Sequence, residues 1–144
     1  MTIRRVGVLT IAVFVLGFVA GQTFDSGPTA NAQSRKVFEL RTYTAPEGKL
    51  PNLVARFRDH TLAFFEKHGM DSVGYWVPEE APASGNTLIY ILAHDRREAA
   101  TKSWEAFRAD PEWQRVRDES QVDGPLTSNV VSVFMDATDF SPMQ

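Results

Sequence analysis

The sequence predicts an α+β domain of ferredoxin-like type, a four-stranded antiparallel sheet with two helices on one face. Two observations predict it. Segments with a two-residue apolar period and segments with a three-four period follow one another in the order β-α-β-β-α-β. Glycine, proline and small polar residues punctuate every junction between them.

The leading segment stands apart from that pattern. Arg4 and Arg5 precede Val6–Gly21, an apolar run in which Thr10 is the one strongly polar residue, and a small-residue stretch ends in Ala30-Asn31-Ala32. This is the layout of a secretory signal peptide, residues 1–32, with cleavage before Gln33. The alternative is an uncleaved membrane anchor, since the run spans roughly 24 Å as a helix against a hydrocarbon core of about 30 Å. Either way the domain, 33–144, is expected outside the cytoplasm, periplasmic or extracellular, and touches a membrane only if the leader is retained.

The chain has no cysteine, which excludes disulfides, thiolate metal sites and cysteine nucleophiles. Of its 15 basic and 18 acidic side chains, Arg4, Arg5 and Asp25 leave with the leader, so 33–144 carries 13 and 17, a net charge of −4. A mildly acidic domain lacks the electrostatic footprint of a nucleic-acid binder.

Within the domain, Val37–Tyr43 is rich in β-formers and is closed by Pro46 and Gly48. From about Lys49 to His68, Leu50, Leu53, Val54, Phe57, Thr61, Phe64 and Phe65 keep helical spacing, and Gly69 stops the helix. Met70–Val77 reads as the second strand and Thr87–Ala93 as the third, separated by a turn-rich loop. Asp95 is placed to cap the next helix, whose stripe is Ala99, Ala100, Trp104 and Phe107. Asp110-Pro111 signals a fresh helical start, with Asp110 as N-cap and Pro111 in the first helical position. Asn129–Asp136 is the last strand.

Strand parity predicts association. In the third strand Ile89, Ile91 and Ala93 alternate with Leu88, Tyr90, Leu92 and His94. In the fourth, Val131, Val133 and Met135 alternate with Val130, Ser132 and Phe134, so both sheet faces are largely apolar. Two helices cover one face, and a homodimer closing the other is expected.

Phe38–Tyr43, His68-Gly69, Gly74-Tyr75-Trp76, Ala106–Trp113 and Thr138–Pro142 occur in an order that resembles the NIPSNAP family, within the dimeric α+β barrel superfamily. The resemblance covers about 37–142 and implies fold and dimerisation, with no settled catalytic set. Related barrels include cofactor-independent monooxygenases and isomerases.

Candidate site residues follow from parity. Glu39, Arg41 and Tyr43 share one face of the first strand, expected to look into the dimer interior, with Phe38 and Leu40 toward the helices. Tyr90 and His94 share a face of the third strand, expected to neighbour the first. Trp76 is a candidate for stacking on a planar ligand. These six form a candidate ligand site in which Arg41 holds an anionic or carbonyl group and His94 or Glu39 moves a proton. Against this stands a structural Glu39–Arg41 pair and a His94 that merely ends its strand. His60 and His68 lie about 12 Å apart along their helix, too far to share a metal. No metal or cofactor is expected, and no nucleotide or hydrolase fingerprint occurs. Three functions remain open: a small-molecule-binding or interaction protein for an apolar or planar ligand, a cofactor-independent monooxygenase or isomerase, and a structural envelope dimer.

Overall fold

The computed structural model describes residues 36–143. The expected leader, 1–32, and its cleavage site lie outside the described residues.

The chain runs β1 (Val37–Thr44), α1 (Leu50–Arg56), a π-helical turn (Phe57–Thr61), α2 (Leu62–Lys67), β2 (Asp71–Trp76), β3 (Thr87–His94), α3 (Arg97–Ala109), α4 (Pro111–Glu119) and β4 (Asn129–Asp136). The sheet is antiparallel in the order β2-β3-β1-β4, so β1 and β3 are the central pair, as the ferredoxin-like reading requires.

The expected first helix is present but not uniform. Its middle widens by one residue into the π turn, where Leu62 N–H reaches back to the Phe57 carbonyl. Thr61 Oγ1 donates to the Arg56 carbonyl (3.2 Å), so its hydroxyl occupies an acceptor freed by the widened turn. The helix ends in a Schellman arrangement. Met70 N–H bonds the Phe65 carbonyl, Gly69 N–H bonds that of Glu66, and Gly69 takes φ 69°. Buried Met70 and Phe65 supply the hydrophobic contact of that motif.

The break at Asp110 is where the sequence places it. Asp110 Oδ1 accepts from the N–H groups of Glu112 (2.9 Å) and Trp113 (3.4 Å) and caps α4, with Pro111 in the first turn. His68 Nε2 (2.8 Å) and Lys67 Nζ (2.8 Å) hold Oδ2, tying the end of α2 to the start of α4. Asp95 does not cap α3. The N-cap residue is Arg96, without a side-chain bond, and Asp95 instead pairs with Lys36 (3.3 Å).

All helices pack on one sheet face. The core joins Leu88, Tyr90 and Leu92 of β3 to Leu53 and Phe57, to Phe64 and Phe65 of α2, and to Trp104 and Phe107 of α3. Phe65, Trp104, Phe107 and Trp113 meet edge-on or tilted at centroid separations of 4.4–5.6 Å. The opposite face carries Leu40, Ile91, Val131 and Val133, the last two exposed, and none of the described helices covers it.

Candidate functional site

Strand pairing fixes which candidates meet. Arg41 lies opposite Tyr90, Glu39 opposite Leu92 and Tyr43 opposite Leu88. Since Tyr90 and Leu92 are core residues beneath the helices, Glu39, Arg41 and Tyr43 face the helices too. This corrects the expected orientation: Phe38 and Leu40 take the other face, with Met135 and Val133 across from them on β4. The parity itself holds, and so does the convergence of the β1 and β3 sets. What the sequence lacked was the sign, because a face bearing a glutamate and an arginine looks less like a core than one bearing phenylalanine and leucine. Trp104 reverses that preference.

Glu39 is the hub. Only 1 % of it is exposed, and both carboxylate oxygens are filled. Oε1 accepts from Arg41 Nη1 (2.6 Å) and Ser132 Oγ (2.6 Å). Oε2 accepts from Trp104 Nε1 (2.7 Å) and from His94 Nε2 (3.0 Å). Burial alone would push the carboxyl pKa up. The bonds from His94, Ser132, Trp104 and Arg41 outweigh it and hold the group at about 2. An ionised carboxylate only accepts, so His94 must carry its hydrogen on Nε2. Glu39 is therefore no proton carrier near neutral pH, whereas His94 Nδ1 is buried and makes no hydrogen bond.

Arg41 is positioned three ways. It pairs with Glu39, donates from Nη2 to Tyr43 Oη (3.3 Å) and stacks its guanidinium 4.2 Å from the Trp104 ring. Burial would lower its pKa, but the Tyr43 and Tyr90 hydroxyls and the Glu39 carboxylate raise it, so the charge is permanent. Its Nε and the hydroxyl of Tyr90, a residue with no exposed surface, form no well-aligned hydrogen bond. Burial and the neighbouring Tyr43 hold the Tyr90 phenol well above its ordinary range.

Trp76 is not part of this cluster. It lies on the opposite sheet face, 49 % exposed, with its ring so close over Gly74 that a β-carbon there would meet Cη2 at 2.6 Å. Two members of the cluster were missed as site residues. In the sequence Trp104 belongs to an apolar helical stripe, and nothing there marks its indole N–H as a partner of Glu39. Ser132 had a visible signal, a lone hydroxyl in the strand Asn129–Asp136 with the parity of Phe134.

Beside the cluster, an apolar cleft of about 250 Å³ opens between the π turn and the sheet, lined by Val54, Phe57, Arg58, Leu62, Tyr75 and Leu88. Its back wall is continuous with Tyr90, on which Tyr75 stacks at 5.6 Å and Phe57 packs edge-on at 5.2 Å. Among the described residues, no three His, Asp or Glu side chains gather as a metal-holding group.

No curated protein matches the sequence. Solved structures do. A NIPSNAP family protein with unknown function from Agrobacterium tumefaciens superposes with a TM-score of 0.67 at 23% identity, over 78% of this chain and 96% of that one. At lower similarity stand a monooxygenase from Streptomyces coelicolor in complex with Nanaomycin D (TM-score 0.50, 16% identity, 73% and 89% covered) and a cofactor-independent oxygenase from Streptomyces nogalater (TM-score 0.50, 16% identity, 75% and 98% covered). At these identities the likeness is one of fold, the α+β fold of the dimeric barrel proteins. The sequence model of the NIPSNAP family matches residues 38–142, nearly the whole described domain, and the chain belongs to the NIPSNAP family.

Proposed function

We propose that the protein binds a small apolar or planar molecule in the cleft between the π turn and the sheet. The observation that carries this reading is the cleft's lining: four apolar or aromatic walls from Val54, Phe57, Leu62 and Leu88, and as its floor the Tyr75 ring, which stacks on the buried Tyr90. Its volume sits at the small end of ligand pockets, which suits a ligand of one or two rings. The ligand complex of the Streptomyces coelicolor monooxygenase supports a small organic occupant for this fold. The test is fluorescence titration with 2-naphthol, paired with native mass spectrometry of protein from its own host. Saturable binding that Leu62→Trp abolishes by filling the rim supports the cleft. Binding unchanged by that variant, or none, overturns it.

A second reading, turnover of such a ligand as in a cofactor-independent oxygenase or isomerase, is favoured by one observation. Glu39 fixes the His94 ring through Nε2 and leaves Nδ1 without a partner, but the buried ring lies six residues along β3 from Leu88 of the cleft wall, so it serves only a ligand that extends beyond the cleft. A molecule retained by the wild type but chemically altered only when His94 is intact separates turnover from storage.

Export and pairing complete the proposal. The protein acts outside the cytoplasm as a homodimer that buries the open sheet face. A mature chain starting at Gln33 supports export, and full-length protein recovered from the cytoplasm refutes it.

A further inference from the structure

Arg56 ends α1 in a position unlike that of any other cation among the described residues. It is 8 % exposed, yet among the described residues no carboxylate pairs with it. Nη1 reaches Ser120 Oγ at a long 3.4 Å, the guanidinium lies 5.5 Å from the Trp113 ring, and Nε makes no hydrogen bond. A buried guanidinium with one weak hydrogen bond and one ring contact is poorly compensated. Burial first, and then the nearby Arg117, lower its pKa, opposed by the hydroxyls of Tyr43 and Tyr90.

Arg56 also lines a cleft of about 320 Å³ between α1, the π turn and α4. Ala55 and Val116 give it an apolar wall, while Asn52, His60 and Ser120 add polar groups. Two acids line it, but Glu119 is held by Arg115 at 2.8 Å. Arg117, whose charge is felt at Arg56, is itself engaged by Asp118 at 2.8 Å. The cation left to a ligand is thus Arg56.

We propose that this cleft binds a small carboxylate-bearing molecule, for which Arg56 is the counter-ion. The Nη end of the guanidinium, beside Ser120 in the cleft lining, offers charged N–H donors to a carboxylate. Asp59, in the wall, disfavours a dianion and selects a monoanionic head over a phosphate. The apolar wall then takes the body of the ligand. This cleft uses the opposite side of the π turn from the one assigned above, and the two readings stand or fall separately.

The experiment is calorimetric titration of the full-length chain with benzoate, with benzamide as the neutral isostere and inorganic phosphate as the competing anion. Saturable benzoate binding at least tenfold tighter than either control is expected. Arg56→Met should abolish it while leaving 2-naphthol binding intact. Equal affinity for benzamide or for phosphate, or no saturable binding, overturns the proposal. Should Arg56→Met not fold, the wild-type Arg56 Nε–Hε resonance decides: benzoate must shift it. An unmoved resonance also overturns the proposal.

Discussion

His94 Nε2 stands 3.0 Å from Glu39 Oε2, a buried histidine of the strand β3 held by a buried carboxylate of its neighbour β1. Neither side chain is more than 2 % exposed. The pair is fixed from the helix side as well, because Trp104 donates to the same oxygen. A single carboxylate thus locks two central strands, the edge strand β4 through Ser132, and the helix α3 into one register.

The first prediction is a pH dependence of stability. The Glu39 pKa falls from an unfolded value near 4.5 to about 2. A depressed acid stabilises the fold above its unfolded pKa, and the contribution is lost as pH falls from there toward 2. By linkage it is roughly 3 kcal/mol. Urea melts at a series of pH values should show wild type losing stability across this window. Asp110 is also held low, first by Lys67 and then, against burial, by His68 and two backbone N–H groups, so it adds to the loss. The difference between wild type and Glu39→Gln isolates Glu39, and a difference that does not change with pH refutes the assignment.

The second concerns Trp104. Trp104→Phe keeps a ring under Arg41 but removes the N–H donated to Glu39, leaving a buried charge short of one partner. Such a loss costs about 1–3 kcal/mol. It should also raise the pH at which acid unfolding begins. A variant as stable as wild type at neutral pH would mean that water replaces the indole.

Asn129–Asp136, the Asp110 cap and the stop at Gly69 were legible because each rests on local chemistry: alternation, a side-chain cap, a left-handed turn. Alternation also grouped Glu39 with Arg41 and Tyr43. It could not orient the group, since β1 alternates on both faces with side chains large enough to bury. That choice is made by tertiary partners distant in sequence, Trp104 and His94. The π turn was illegible for a different reason. Apolar spacing through Phe57, Thr61, Phe64 and Phe65 suits a plain helix equally well, and the extra residue is taken up by packing. Arg56 was hidden likewise, a charge beside an apolar stripe whose burial depends on α4.

The third prediction tests the junction at Asp110. Asp110→Asn keeps an acceptor for the α4 N–H groups but drops the charge that Lys67 and His68 share, whereas Asp110→Ala loses both. The midpoint of thermal unfolding should fall for Asn and further for Ala. Amide exchange should quicken first in Pro111–Glu119. Equal effects of the two substitutions would make the cap irrelevant and leave only the charge, whereas an Asn variant as stable as wild type would make the charge irrelevant.

The last prediction concerns the open face. Leu40, Ile91, Val131 and Val133 point away from the helices by the observed register, and Trp76 lies over Gly74 on the same side. The segment Ala137–Met143 shelters a corner of it, where Phe38, Ile91, Met135 and Met143 line a recess of about 190 Å³. Val131 and Val133 stay exposed on β4. A contiguous apolar surface of this kind favours association, and a second copy presents the same surface by two-fold symmetry. Sedimentation should therefore give twice the chain mass at micromolar concentration. The discriminating substitutions are neighbours on β4. Val133→Glu puts a charge on the open face and should yield a folded monomer. Phe134, by contrast, shares the helix-side parity of Glu39 and packs against His94 at 6.2 Å and Arg97 at 3.2 Å. Phe134→Glu should accordingly destabilise each subunit without selectively splitting the pair. A wild-type monomer, or a Val133→Glu variant that still sediments as a dimer, would show that this face is not where two copies meet.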